Sequence, residues 1–231
     1  MPIFEPLFRD RRDAGRQLAA ALGLYRDSHP LVLALPRGGV PVGFEVTKTL
    51  GAPLDVLLVR KIGAPGQEEL GLGAIVDGHD PQLVLNEEII RVVAPPPGYI
   101  EAEVRRQLAE IERRRQHYAG DRPPIPVDRR VVIVVDDGIA TGGTVKAALR
   151  GVARLHPARL VLAVPVAPAD TLRQLAADCD DIVCLAKPEP FYAVGPHYQD
   201  FRQTTDEEVV RLLAKAQQRS AASAAGPQPA L

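Results

Sequence analysis

The residues richest in chemistry sit together. Asp136-Asp137-Gly138-Ile139-Ala140-Thr141-Gly142-Gly143-Thr144 follows directly on the apolar run Val131–Val135. Small residues between an apolar strand and the start of a helix let the backbone approach a ligand closely. The helix N-terminus then aims unpaired N–H groups and a partial positive charge at that ligand. The hydroxyls of Thr141 and Thr144 add donors, so this end of the segment suits a phosphate. The two carboxylates cannot serve the same phosphate, because like charges repel. They suit vicinal hydroxyls of a sugar, or a Mg2+ carried by the ligand. Side chains alternate along a strand, so both face one ligand only if the strand has ended at Asp136. Phosphate at one end and a diol at the other describe a ribose 5-phosphate.

Other phosphate motifs fit less well. A P-loop needs a lysine inside the turn, and Lys146 comes too late. The glycine spacing of a dinucleotide-binding turn is absent. A phosphoacceptor pair of aspartates finds no support elsewhere in the chain. An ordinary strand-to-helix turn with solvated aspartate caps would leave both the acidic pair and the small-residue run as coincidences.

VVIVVDDGIATGGT resembles the signature by which type I phosphoribosyltransferases bind 5-phosphoribosyl 1-pyrophosphate (PRPP). Two further pieces match that family in chain order. LVLALPRGG ends in Pro36-Arg37-Gly38-Gly39 and resembles the strand and loop that hold pyrophosphate. LLVRKIG, with Arg60-Lys61, resembles the basic end of the next strand before the family's flexible loop. The resemblance runs from about Arg9 to Asp206. It is nearest to the group known only as predicted phosphoribosyltransferases, not to a named salvage enzyme.

The resemblance implies a job for each residue. Arg37 and Lys61 neutralise pyrophosphate beside the N–H groups of Gly38 and Gly39, with Arg60 a weaker member because adjacent strand residues point opposite ways. Asp136 and Asp137 hold the ribose hydroxyls, and Ala140, Thr141, Gly142, Gly143 and Thr144 cradle the 5-phosphate. The implied reaction is displacement at the anomeric carbon of PRPP by a nitrogen acceptor, a nucleobase, with release of pyrophosphate. Asp136, Asp137, Arg37 and Lys61 are its catalytic set. Mg2+ is the implied cofactor, brought by PRPP and without a protein ligand set of its own. The glycine-spaced stretch Ile62–Gly78 would be a lid that keeps water out.

Two positions depart from the family pattern. Gly138 stands where an apolar residue is usual, which suggests a looser backbone. Ala140 stands where the purine 6-oxo enzymes carry a carboxylate that handles the base's ring proton, and alanine cannot do that. Either the acceptor needs no proton removed, or Glu68, Glu69 or Asp200 supplies the base, or the chain is a poor enzyme. A non-catalytic regulatory protein that binds PRPP or a nucleotide is therefore the alternative, with a phosphohydrolase a weaker third. For the acceptor, KPEPFYAVGPHYQDFRQ offers Phe191, Tyr192, Val194, His197 and Tyr198, with Phe201 beyond. Aromatic faces stack on flat bases, although an aromatic plug over the sheet edge explains the same residues. His197 is a general acid or base by location alone.

These residues need a scaffold, and the hydrophobic pattern supplies one. Leu31–Leu35, Leu54–Val59, Val131–Val135, Arg159–Val166 and Asp181–Ala186 are continuous apolar runs, the habit of parallel strands buried on both faces. Helical stretches Val40–Leu50, Thr144–Leu155 and Asp170–Ala177 lie between them. That alternation predicts an α/β fold: a doubly wound, mostly parallel five-stranded sheet with flanking helices, the phosphoribosyltransferase type, with a small hood built from terminal segments. Outside the alternation lie helices at Phe8–Leu24, Tyr99–Ala119 and Thr205 to about Arg219. The middle one puts Ile100, Val104, Leu108, Ile111 and Tyr118 on its core face and a mixed-charge face outside. One domain is expected over 1–219, and a disordered tail over 220–231.

Composition narrows the partners. The chain has 231 residues, 46% of them hydrophobic and 25% charged, which excludes wholesale disorder. The formal net charge of −1 gives no global basic field, so a small-molecule substrate is expected, with no nucleic acid and no membrane as partner. A homodimer is left open. Cys179 and Cys184 make neither a disulfide framework nor a good zinc site, and the five histidines are scattered. The N-terminal MPIFEPLFRDRRD is charged too early for a signal peptide, and the expected location is cytoplasmic.

Overall fold

The structure, a computed structural model, describes residues 5–224. Five strands, β1 (Leu31–Ala34), β2 (Leu54–Val56), β6 (Val131–Val135), β7 (Arg159–Val166) and β8 (Asp181–Ala186), form one sheet in the order β2-β1-β6-β7-β8. Every pair in it is parallel. Period-two alternation splits each strand between two cores. Val32, Ile133 and Val161 pack toward α1 (Arg11–Ala21), α2 (Gly39–Leu50) and α7 (Asp206–Ala224). Leu31, Val134 and Leu162 pack toward α5 (Gly143–Ala153) and α6 (Ala169–Leu175). Both faces are covered, which is why the runs read as continuous.

The run Leu54–Val59 feeds two sheets. The chain leaves β2 after Val56, crosses at Leu57-Leu58, and enters β3 (Val59–Ala64). With β4 (Gln67–Val76) and β5 (Gln82–Leu85), β3 builds a second, antiparallel sheet in the order β3-β4-β5, followed by α3 (Glu87–Val93). This corrects the expectation that Ile62–Gly78 is a lid of little packing potential. Ile62, Leu72, Ile75 and Val76 are buried in the core, and only the tip near Pro65-Gly66 projects. The short spacing of glycines hid an alternating strand pair.

The helix α4 (Tyr99–Ala119) lies where it was expected, but its most buried stripe includes polar Glu103, Gln107 and Arg115 beside Ile111 and Tyr118. Arg115 explains this. Its Nε donates to Asp77 Oδ2 at 2.8 Å, its Nη1 lies 3.4 Å from both oxygens of Asp55, and its Nη2 donates to the Val56 carbonyl at 3.1 Å. The Leu58 N–H donates to Asp77 Oδ1 at 2.9 Å, and the Ile125 N–H donates to Asp55 Oδ2 at 3.1 Å. One buried cation therefore ties α4 to the crossing point between the two sheets. Burial pushes the Asp77 carboxyl up to about 6 even with Arg115 pulling the other way.

The terminal segments meet over the sheet's carboxyl edge. Leu7 and Phe8 N–H groups donate to the His197 carbonyl, and Phe8 bridges Tyr198. At the C-terminal end, α7 continues through residues 220–224, which were expected to be tail. Alanine-rich sequence is well suited to extend a helix already nucleated by packing. The rest of the expected tail, 225–231, lies outside the described residues.

Candidate active site

The order β2-β1-β6-β7-β8 reverses between β1 and β6, and in open α/β sheets ligands bind at the carboxyl end of such a reversal. The loop after β1 and the loop after β6 meet there. The Leu35 N–H donates to the Val135 carbonyl at 2.9 Å, and Pro36–Arg37 is a cis peptide. A Cβ on Gly38 would stand 1.9 Å from Asp137 Oδ2, and one on Gly39 would stand 2.7 Å from the Val135 carbonyl. Only glycine lets the two loops approach this closely.

Each of the two acids accepts one hydrogen bond from a protein N–H, and the two carboxyl groups also lie within hydrogen-bonding reach of each other. Asp136 Oδ1 accepts from the Asp137 N–H at 2.8 Å, and Asp137 Oδ2 accepts from Arg11 Nε at 2.6 Å. Burial, with the neighbouring Asp137 charge, holds the Asp136 carboxyl well above the usual range. Burial also raises Asp137, and Arg11 opposes it. Two carboxylates packed in a half-buried turn are thus poised to gain from any hydrogen-bond donor that enters.

Arg11 was not found from the sequence. Its guanidinium lies 3.9 Å over the Phe201 ring, and its Nη1 donates to the Arg202 carbonyl at 2.7 Å, so it is fixed before it reaches Asp137. The partners are 126 residues apart in the chain, and no local pattern connects them.

Beyond the acids, α5 begins without a side-chain cap, after Gly142 in the left-handed region (φ 77°). A Cβ at Gly142 would meet Thr171 Cγ2 at 2.7 Å. The turn is held from below: the Ile139 N–H donates to the Val166 carbonyl at 2.9 Å, and Thr171 Oγ1 donates to the Ala140 carbonyl at 2.8 Å. Ala140, Thr141, Gly143 and Thr144 are exposed. The open helix end faces the β3–β4 hairpin across two adjoining cavities of 290 and 760 Å3, which share Val59, Lys61, Glu69 and Thr144.

The three cations expected around pyrophosphate divide. Lys61 is exposed in that cleft, with Nζ 3.9 Å from Glu69 Oε2. Arg60 is committed to α4, donating from Nε to Gln107 Oε1 at 2.8 Å. Arg37 extends toward α7, with Nη1 3.9 Å from Asp206 Oδ1.

The expected base-stacking residues are brought together, but largely as a plug. Tyr198 is buried between Phe8 and Phe201, and its hydroxyl donates to the Asp137 carbonyl at 2.5 Å. His197 is buried and stacked on Phe191 with ring centroids 5.3 Å apart, and burial lowers its pKa. Tyr192 is exposed, and Phe191 is half-buried.

Residues 10–200 match the family described as "Phosphoribosyl transferase domain". The chain belongs to the phosphoribosyl transferase family. Two proteins named for that family, from Mycobacterium tuberculosis strains CDC 1551 and H37Rv, are each 50% identical over 211 residues, which is 91% of this chain and 47% of theirs. The chain therefore spans about half the length of those relatives. The crystal structure of TT1426 from Thermus thermophilus is 44% identical, with a TM-score of 0.79 over 90% of this chain and 98% of that one.

Within this phosphoribosyl transferase domain both sequence departures acquire a structural meaning. Gly138 does not loosen the loop. A Cβ there would meet Val194 Cγ1 at 2.5 Å, so the space of the family's usual apolar side chain is filled from the segment after β8. Val194 is thereby a packing residue of the loop. Ala140 is exposed at the mouth with no carboxylate of its own, and of the substitutes considered, Asp200 is held by Arg202, which pulls its pKa down to about 2. Glu68 and Glu69 line the larger cavity. No helix among the described residues is long and apolar enough to cross a membrane.

Proposed function

We propose that this domain binds PRPP at the β1–β6 reversal and transfers its phosphoribosyl group to a nitrogen acceptor, a nucleobase, releasing pyrophosphate. The observation that carries the reading is the pairing, on one turn, of two adjoining half-buried carboxyl groups with an uncapped helix N-terminus a few residues on. The carboxylates suit the ribose diol, and the bare N–H groups of α5 with Thr141 and Thr144 suit the 5-phosphate.

Positive charge develops on the ribose ring as the anomeric bond breaks. The reading assigns stabilisation of that charge to Asp136 and Asp137, and neutralisation of the leaving group to Lys61 and Arg37. The donor set is two adjoining carboxylates, and no cluster of three metal-ligating side chains occurs among the described residues. Such a set fits Mg2+ that arrives on the substrate's own phosphates, held by one or two carboxylates and water. When bound there, Mg2+ supplies charge neutralisation on the diphosphate. Glu68 and Glu69, at the projecting hairpin, are the carboxylates available to take a proton from the acceptor.

The test is a panel of nucleobases offered with Mg-PRPP while pyrophosphate is followed. Release that depends on one base, and that is lost in Asp137→Asn and Arg37→Ala, supports transfer. PRPP binding without release for any base supports a regulatory protein instead, and release of phosphate from simple esters supports a hydrolase.

A further inference from the structure

Pro36 and Arg37 form one wall of a separate cavity of 390 Å3, closed by Arg113, Arg114, His117 and Tyr118 of α4 and by Asp206 at the start of α7. Its volume is within the ~300–1,000 Å3 range of small-molecule sites. Glu110, Arg113, Arg114 and His117 stand at i, i+3, i+4 and i+7, so they form one stripe along the helix. The opposite face is pinned by Arg115 to Asp55 and Asp77, which fixes where the stripe points.

The stripe holds unspent donors. Arg113 gives both Nε and Nη2 to Glu110, at 2.8 and 2.9 Å, but Arg114 gives only Nε, at 2.7 Å. The terminal nitrogens of Arg114, the His117 ring and the Arg37 guanidinium hydrogen-bond to nothing among the described residues. Asp206 is already served by the Tyr118 hydroxyl at 2.5 Å and only loosely approached by Arg37. The lining itself carries three guanidiniums and one carboxylate, Asp206, with Glu110 paired to Arg113 and Arg114 and Glu207 close enough to His117 to feel its charge. The stripe is open to solvent, Arg113 most of all, but its side chains converge with Arg37 on one cavity instead of pointing singly into water.

We infer that this stripe is a third wall of the leaving-group site, with Arg114, Arg113 and His117 joining Arg37 to hold a diphosphate group. This rests on the PRPP reading for the identity of the sugar but not for the anion, because forked guanidiniums around a cavity recognise a diphosphate by themselves. Arg60, turned away to Gln107, leaves room for that substitution of roles.

Calorimetric titration with inorganic pyrophosphate in Mg2+, against inorganic phosphate, tests it on the full chain. Wild type should bind pyrophosphate more tightly than phosphate. The double variant R113Q/R114Q should lose pyrophosphate affinity by at least about tenfold with an unchanged melting temperature. Glu110→Gln, which frees both arginines from their neutraliser, should bind pyrophosphate more tightly than wild type. Should the double variant fail to fold, Glu110→Gln decides: a gain supports the site and no gain overturns it. Wild type that ignores pyrophosphate, or a folded double variant with unchanged affinity, also overturns it. Ribose 5-phosphate read in parallel separates the two readings. If it fails to bind while the pyrophosphate dependence on α4 holds, the ribose assignment falls and this one stands.

Discussion

At the scale of single residues, function and stability pull against each other in the acidic pair. Asp136 carries a raised pKa through burial and the Asp137 charge, so its ionised form is a cost to the empty fold at neutral pH. Asp136→Asn keeps an oxygen for the Asp137 N–H while removing the charge. Its melting temperature is expected to rise by about 2–4 °C for each kcal/mol recovered, while PRPP affinity falls by about 2–4 kcal/mol. Thermal scans and titration of one variant check both halves. Arg11 is spent on Asp137, the Arg202 carbonyl and the Phe201 ring, so under the proposed function it is a positioning residue. Arg11→Ala is expected to weaken PRPP by about 1–3 kcal/mol, and Arg11→Lys, which keeps charge but loses the stack on Phe201, to recover only part of that in the same titration. The turn that carries Asp136, Asp137, the glycines and Thr141–Thr144 was legible because a tight turn is built from neighbours in sequence. Arg11 was not, because it reaches its partner only through the packing of the two ends of the chain.

The elements that place these residues were legible to different degrees, for one physical reason. Strands buried on both faces show as uninterrupted apolar runs, so the five-stranded parallel sheet could be read directly, and the long amphipathic helix kept its boundaries. The β3–β4–β5 sheet did not show, because its glycines and exposed hairpin tip break the alternation that marks a half-buried strand. The polar stripe of α4 was hidden for a different reason. Arg115 looks like a surface residue until two distant aspartates surround it. Removing it by Arg115→Met should cost about 3–5 kcal/mol in denaturant unfolding, since Asp55 and Asp77 are left buried without a counter-charge. Asp77 adds a pH dependence of known sign. With its folded pKa raised from 3.8 to about 6, its contribution is full below the unfolded value and declines as pH rises toward 6. The stability difference between wild type and Asp77→Asn should therefore fall across that interval and level off above it. A difference that grows with pH would contradict the burial of this group.

Across the whole molecule, the fold brings three separate chain regions to one edge: the loop after β1, the turn after β6 and the paired terminal segments. The terminal aromatics that suggested a stacking site instead brace the acidic turn, with Tyr198 on the Asp137 carbonyl and Phe201 under Arg11. Under the proposed function, acceptor recognition falls to Tyr192, the half-buried Phe191 and the hairpin tip with Glu68 and Glu69. The central claim concerns the sugar, and it can be tested without knowing the acceptor. Ribose 5-phosphate and 2-deoxyribose 5-phosphate differ by one hydroxyl, which the proposed function assigns to the acidic pair. Calorimetric titration should show wild type binding ribose 5-phosphate more tightly than the deoxy sugar, by about 1–3 kcal/mol for one hydrogen bond to a charged group, with the preference abolished in Asp137→Asn. Equal affinity for the two sugars in wild type would contradict the account.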